Sequence, residues 1–151
     1  MDYRKIEEYL DSEELDKILA GFFPIFEELN KYSEFLISKG DTLDNVKTKR
    51  LLMKATGYWG VLDTAFNTID SFKTKKESDF YCDKKISVEK ANEKFVSASA
   101  DKEASAHVNP ERRVRNIIES YRNRADKIIS SCQSYLKSDL KAFNRAGDQE
   151  G

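Results

Sequence analysis

The chain has 151 residues, of which 35% are charged and two are proline, and its formal net charge is −1. This length suits one domain with a modest core, and the recurrence of Leu, Ile, Phe and Tyr at helical spacing excludes a disordered chain. No apolar run reaches the roughly 20 residues of a membrane span, and the acidic start "MDYRKIEEYL" is unlike a signal peptide, so we expect a cytoplasmic protein without a membrane partner.

The N-terminal part predicts two helices that form a hairpin. Asp11 and Glu14 stand in capping-box positions, which predicts that the first helix begins at Asp11 or Ser12. Residues 3–10 could extend this helix backwards. Pro24 fits the first turn of a second helix, in which apolar residues recur every three or four positions.

The third helix is the clearest element, and Thr42 could cap its start. Apolar residues recur along it at alternating three- and four-residue steps, at Leu52, Ala55, Trp59, Leu62, Phe66 and Ile69. A second row lies beside this heptad seam, at Leu51, Tyr58, Ala65 and Phe72. The width of the two rows predicts that more than one neighbour covers the helix. Gly57 and Gly60 predict a close helix approach or a bend near Trp59.

Beyond Lys73 the apolar pattern weakens. The segment up to His107 predicts a polar helix of uncertain length and a hinge. Asn109, Pro110 and Glu111 then supply an N-cap, a first-turn proline and a first-turn acid for a last long helix. Its predicted core positions are Val114, Ile118, Tyr121, Ala125, Ile128, Cys132, Tyr135 and Asp139.

These elements together predict an all-α fold, with a single domain over residues 1–145 and a disordered tail at 146–151. The long third and last helices should pack against each other, with the N-terminal hairpin covering them. Wide apolar faces on two long helices also favour a homo-oligomer.

The sequence contains no catalytic or metal-binding pattern. His107, the single histidine, lies among small polar residues that are typical of a linker. Cys82 and Cys132 are 50 positions apart, outside any C-x-x-C spacing, which favours idle thiols over a disulfide or a metal site. We therefore expect no enzyme activity, no metal and no cofactor.

Acidic and basic residues are segregated along the chain. Residues 1–30 carry nine acids and three bases, and residues 77–111 carry eight acids and five bases. Residues 31–76 and 112–145 are basic, with nine bases each against five and three acids. The basic segments could form a local anion-binding surface, and the alternation of sign is equally suited to head-to-tail self-association.

One face of the last helix carries cations and hydroxyls without an acid. Its members are Arg113, Ser120, Arg124, Lys127, Ser131, Ser134, Ser138, Lys141 and Arg145. We call this set the α5 stripe. Guanidinium, ammonium and hydroxyl groups match the phosphate contacts of nucleic-acid binders, although an ordinary solvated helix face has the same composition.

Three arginines, Arg112, Arg113 and Arg115, open the last helix beside the positive end of its dipole. There they would form an anion site that Glu111 partly neutralises. Acids at salt-bridge spacing follow two arginines of this helix, since Glu119 stands four residues after Arg115 and Asp126 four residues after Arg122. Arg113, followed by Arg124 and Lys127, is therefore the arginine expected to face phosphate.

A second acid-free cluster lies on the third helix, where Lys47, Arg50 and Lys54 step toward Tyr58. Cations followed by an aromatic ring suit single-stranded nucleic acid, whose phosphates and exposed bases need both kinds of contact. Tyr58 also lies beside the heptad seam, so a core position is an equally open interpretation.

Four short segments remain to be explained: "KYSEFL" at 31–36, "KATGYW" at 54–59, "SADK" at 99–102 and "LKAFNRAG" at 140–147. In this order they resemble segments of the UvsY family, the recombination mediators of T-even-like bacteriophages. The resemblance implies a small helical oligomer that binds single-stranded DNA and helps a recombinase replace a single-strand-binding protein. It places the family's DNA-contacting lysine on Lys54. The arginine expected two positions later is Thr56 here, and Arg50 could supply the missing charge.

The same sequence admits a different interpretation, a helical protein–protein interaction module without a nucleic-acid role, such as a phage-encoded inhibitor of a host complex. The acidic residues 1–30 would then form the working surface, and the basic faces would serve assembly. A filament or coiled-coil structural role is a third interpretation.

Overall fold

A computed structural model describes residues 2–39 and 43–147, with side chains up to residue 142. It contains five α-helices: α1 (Tyr3–Asp11), α2 (Leu15–Lys39), α3 (Asn45–Lys90), α4 (Ser97–His107) and α5 (Asn109–Gly147). The described ranges contain no strand, so the all-α prediction is confirmed. None of the helices in these ranges is long and apolar enough to cross a membrane.

The chain divides into two compact units, to which α2, α3 and α5 each contribute. Unit 1 comprises Met1–Phe22 and Thr64–Glu119, and unit 2 comprises Phe23–Asp63 and Ser120–Gly151. The single domain predicted over residues 1–145 stays a prediction. Of the tail predicted at 146–151, residues 146 and 147 belong to α5, and residues 148–151 lie outside the described residues.

Two N-terminal helices joined by a short turn are present, but the predicted position of the turn was wrong. The turn lies at residues 12–14, where Glu13 adopts a positive φ of 59°. Asp11 therefore ends α1 instead of capping the next helix, and the carboxylate of Glu14 accepts a hydrogen bond from Lys17 at 2.6 Å. The predicted capping box does not form.

Pro24 lies inside α2 and does not begin a new helix. A proline in a helix interior removes one backbone hydrogen bond and costs about 3 kcal/mol. The neighbouring aromatic side chains Phe22 and Phe26 are buried, and burying a phenylalanine side chain contributes roughly 1.5–3 kcal/mol. Burial on the two sides of the proline therefore offsets its local cost, and the helix continues.

The seam of α3 is largely as predicted. Ala55, Leu62 and Ile69 are fully buried, whereas Trp59 is 37% exposed and lies at the edge of the buried face. The predicted close approach at the two glycines is wrong, because a Cβ added at Gly57 or Gly60 would meet no atom within 4 Å. Thr42, the predicted cap, lies outside the described residues.

In unit 1, α3 runs antiparallel to both α4 and α5. Arg115 of α5 contacts Asp70, and Arg112 contacts Glu77, while Lys84 pairs with Glu103 of α4 at 2.9 Å. The segment predicted as a polar helix and hinge is the end of α3, a turn at 91–96 and α4. The ring of His107 stacks on Phe80 with centroids 4.5 Å apart, so this histidine packs against α3.

In unit 2, α2 and α5 run parallel to each other and antiparallel to α3. Phe26 stacks on Tyr121 with ring centroids 3.9 Å apart. Arg122 of α5 donates a hydrogen bond to Asp63 of α3 at 3.0 Å. Nearer the start of α3, Asn45 donates a side-chain hydrogen bond to Asp139 of α5. The predicted α5 core is largely confirmed: Val114, Ile118, Ala125, Ile128 and Cys132 are buried, Tyr121 and Tyr135 are half-buried, and Asp139 is exposed.

Candidate nucleic-acid interface

Arg112, one of the predicted anion-binding residues, already has partners within unit 1. Its Nη2 donates to Ser105 Oγ at 2.8 Å and lies 3.5 Å from Glu77 Oε1, and its Nη1 donates to Asn109 Oδ1 at 3.2 Å. A guanidinium held by a carboxylate and two neutral acceptors has fewer donors left for phosphate. We therefore expect Arg112 to contribute less to an anion site than its position in the sequence suggested.

Arg115 is still more firmly held. Its Nε donates to Asp70 at 2.7 Å, its Nη1 donates to Glu119 at 3.3 Å, and the guanidinium lies over the ring of Phe66, 4.6 Å from the centroid. The pairing with Glu119 confirms the prediction from helical spacing. Two carboxylates and an aromatic face make Arg115 a residue that joins α5 to α3.

Glu111 was predicted as an acid in the first turn of α5 that partly neutralises an anion site. Its side chain is instead buried, and Oε1 accepts a hydrogen bond from Lys76 at 2.7 Å. Lys76 also lies 3.1 Å from Glu13. Burial opposes the charged form of Lys76, but the hydrogen bonds to Glu111 and Glu13 outweigh it and raise the pKa of the ammonium group above 10.5. Glu111 therefore acts in the packing of unit 1.

Arg113 differs from its two neighbours. It is exposed and makes no hydrogen bond or ion pair with any residue that the structure describes. Within the first turns of α5 it has the charge most available to an anion, as the sequence predicts. It belongs to unit 1, whereas Arg124 and Lys127 belong to unit 2.

A groove in unit 2 combines two of the predicted site residues. It lies between α2 and α5 and has a volume of about 410 Å³. Its lining comprises Ser33, Leu36 and Ile37 from α2 and Ser120, Asn123, Arg124, Lys127, Ile128 and Ser131 from α5. We call it the α2/α5 groove. No acidic residue belongs to this lining, and its two charged side chains, Arg124 and Lys127, are both cations.

The two cations of the groove differ in how they are held. Arg124 donates a hydrogen bond to Asn30 of α2, and its guanidinium lies 4.9 Å from the ring centroid of Tyr121. Lys127 is exposed and makes no hydrogen bond or ion pair among the described residues. The groove thus presents one oriented guanidinium, which keeps donors for a ligand, beside one free ammonium group.

The lining also fits a ligand that is only partly polar. Leu36 and Ile37 of α2 add apolar surface to a lining that also carries cations and serine hydroxyls. Side-chain hydroxyls and amides are common phosphate contacts, and aliphatic side chains can cover sugar or base edges. A nucleic-acid strand, which has a charged backbone and apolar base faces, therefore matches the groove better than a small inorganic anion does.

The α5 stripe is a solvent face, as predicted. Each of its members from Arg113 to Lys141 is exposed, and the side chain of Arg145 lies outside the described residues. The predicted stripe supplied only the α5 side of the groove. Ser33 and Ile37 of α2 and Asn123 of α5 were not predicted. The four-residue spacing of Ser33 and Ile37 places them on one helix side, but nothing in that spacing specifies the neighbouring helix.

The cations of α3 are also free. Lys47, Arg50 and Lys54 are exposed and have no acidic partner among the described residues. Tyr58 is half-buried and stacks on Tyr32 of α2, with centroids 6.4 Å apart. Burial and a hydrogen bond to Glu28 raise the pKa of Tyr32 well above its ordinary value of 10. Because Tyr58 is half-buried and its ring stacks on Tyr32, we expect it to contribute to helix packing more than to base stacking.

No group of three or more His, Cys, Asp or Glu side chains that could hold a metal ion occurs among the described residues. Cys82 is exposed and Cys132 is buried, and both are free thiols. Comparisons of the chain with protein-family models, with curated proteins and with solved structures give no significant match. The resemblance to the UvsY family therefore stays a prediction.

Proposed function

We propose that this chain is a non-enzymatic protein that binds single-stranded DNA through unit 2. The α2/α5 groove is the observation that supports the proposal, because it joins Arg124 and Lys127 to four hydrogen-bonding side chains without an acidic residue. Cations that contact phosphates release condensed counterions, which makes such binding favourable at low salt. The same unit also carries the free cations Lys47, Arg50 and Lys54 of α3.

The biological role that we propose follows from the resemblance stated above. A protein of this kind would bind single-stranded DNA as a homo-oligomer and help a recombinase replace a single-strand-binding protein in the cytoplasm of a phage-infected cell. Its partners would be the DNA, the recombinase and the single-strand-binding protein. The mediator role needs no catalytic residue and no cofactor.

A second candidate function is a protein–protein interaction module. It is favoured by the exposure of large apolar side chains, above all Ile37 and Met53, which a partner protein could cover. The two functions differ in their response to salt. Apolar association is far less sensitive to salt than phosphate binding.

Two paired variants test the groove. In the groove variant, Arg124→Ala/Lys127→Ala, both cations of the groove are removed. In the control variant, Lys90→Ala/Lys137→Ala, the same charge is removed from exposed positions that make no ion pair among the described residues. Binding of a labelled single-stranded oligonucleotide is measured by fluorescence anisotropy across a salt series, and circular dichroism verifies the helicity of each variant.

The loss of two phosphate contacts should reduce the magnitude of the slope of log K against log salt by about 1.4, because each contact contributes about 0.7 on single strands. With equal affinity of the wild type and the groove variant at about 1 M salt, this difference in slope gives an affinity loss of about 60-fold at about 50 mM and about 10-fold at about 200 mM. The control variant should lose clearly less affinity at every salt concentration. If the two variants bind equally well, the α2/α5 groove is not the DNA site.

A further inference from the structure

Unit 1 contains a second groove, of opposite charge, between α1 and α3. Its volume is about 540 Å³. The half-buried rings of Phe72 and Phe80 supply apolar surface, and Glu7 and Asp11 of α1 line the groove with Asp79 and Asp83 of α3. The rest of the lining comprises Leu10, which is buried, and Glu13, Lys75, Lys76 and His107. We call it the acidic groove. Positions 72, 79, 80 and 83 share one face of α3 because they are separated by helical steps.

The charges of the acidic groove are largely unpaired. Glu7, Asp11, Asp79 and Asp83 form no ion pair with another described residue. The ammonium of Lys76, which also lines the groove, is already neutralised by Glu111 and Glu13. Four free carboxylates therefore line the groove together with the rings of Phe72 and Phe80, against one free lysine, Lys75. This composition fits a ligand with both cationic and apolar side chains.

The outer face of α3 in unit 2 has that composition. Residues 45–62 contain no acid. Val46 and Met53 are exposed, Met53 to 75%, and they lie on one helix side because they are seven residues apart. Lys49 and Arg50 lie between them on the same side of the helix. Both are exposed and have no ion pair among the described residues. We call Val46, Lys49, Arg50 and Met53 the outer α3 face.

We propose that the outer α3 face of one molecule binds the acidic groove of a second copy of this chain. Met53 would enter the apolar part of the groove, which suits a flexible side chain with three rotatable bonds. Lys49 and Arg50 would meet the carboxylates at its rim. The contact joins two different surfaces, so it is heterologous and adds copies head to tail, into a ring or an open chain. It does not rest on the proposed DNA binding.

Charge complementarity is the reason for choosing a second copy as the occupant. The chain itself carries the unpaired acids and the unpaired bases that the two surfaces need, each beside exposed or accessible apolar side chains. Complementary potentials accelerate association and fix its register. Exposed charges are screened by salt over about 10 Å at about 0.1 M ionic strength, so the contact should weaken as salt rises.

A complementation experiment tests this contact. The face variant, Lys49→Glu/Arg50→Glu, reverses the outer α3 face, and the groove-reversed variant, Asp79→Lys/Asp83→Lys, reverses the acidic groove. All four positions are exposed, so circular dichroism should find both variants folded. Sedimentation velocity of the full chain at low and high salt gives the association state. The charge-reversal control is Lys90→Glu/Lys137→Glu.

The wild type and the control should self-associate at low salt and dissociate as salt rises. Each reversed variant alone should lose about tenfold or more in association constant. An equimolar mixture of the two should regain association, because the mixture contains one native face and one native groove. The single variant Met53→Ser tests the apolar part and should also weaken the contact. A wild type that is monomeric at low salt, or reversed variants that associate as well as the wild type, would overturn the proposal.

Discussion

Replacement of Lys76 by alanine should destabilise unit 1 strongly, because it leaves a buried carboxylate without its partner. The side chain of Glu111 is 2% exposed, and its Oε1 lies 2.7 Å from Lys76 Nζ. Its second oxygen, Oε2, has no hydrogen-bond partner among the described residues. Lys76 is therefore the group that balances the charge of Glu111.

The expected magnitude follows from burial. Removal of one member of a buried ion pair costs about 3–5 kcal/mol, because the remaining charge stays desolvated. Lys76 is 23% exposed, and water can reach part of the vacated space, so we expect a value near the lower end, about 3 kcal/mol. For a chain of this length such a loss lowers the melting temperature by about 6–12 °C. The double variant Lys76→Met/Glu111→Leu should recover most of this loss, since apolar residues of similar volume can replace a buried pair.

The assay is urea unfolding followed by circular dichroism. Glu13 is the matched control: it accepts a hydrogen bond from the same ammonium group at 3.1 Å, but its side chain is 76% exposed. Glu13→Gln should leave the free energy of unfolding nearly unchanged, as is usual for exposed ion pairs. If Lys76→Ala costs no more than Glu13→Gln, the reasoning from burial is refuted.

Three further predictions follow from the described contacts. Arg122→Ala should lower the free energy of unfolding by about 1 kcal/mol, because the part-buried contact with Asp63 is lost. Its oligonucleotide affinity should stay within about twofold of the wild type, and a large loss of affinity would contradict this. Gly57→Ala and Gly60→Ala, at helix positions open to solvent, should each stabilise the chain by about 1 kcal/mol in urea unfolding, and a loss of stability would reveal an unseen close contact. Burial raises the pKa of the Cys132 thiol above its ordinary value near 9. The contribution of this thiol to the free energy of unfolding should therefore be complete below pH 9 and be lost as pH rises through the folded-state pKa. Unfolding across an alkaline pH series measures this loss, which Cys132→Ala should reduce.

The helical spacing of apolar residues predicted those features of the fold that depend on a single helix. The core of α5 follows from apolar positions that recur over many turns, and Ile118, Ala125 and Cys132 are fully buried. Pro24 shows the limit of local rules, because its preference for a first turn is overcome by the burial of Phe22 and Phe26 on its two sides. Trp59 was predicted to lie in the seam but is 37% exposed, because the buried face of α3 includes Leu51 and Ala65 of the second row and leaves Trp59 at its edge.

The candidate site could be predicted only in part for the same reason. The α5 stripe follows from helical spacing, and its exposure is confirmed up to Lys141. The α2 side of the groove and the carboxylate of Glu77 that holds Arg112 depend on the register between helices distant in sequence. Spacing within one helix carries no information about that register. Arg113 and Lys127 are exposed and have no partner among the described residues, and their contact with phosphate stays a prediction.

The most direct test of the account is the binding of the wild-type chain to a labelled single-stranded oligonucleotide across a salt series. We predict binding at about 50 mM salt and a linear fall of log K with log salt. The slope should be about −1.4 or steeper if Arg124 and Lys127 each contact one phosphate. Absence of binding at about 50 mM salt, or binding that does not change with salt, would contradict the proposal that unit 2 binds single-stranded DNA through its cations.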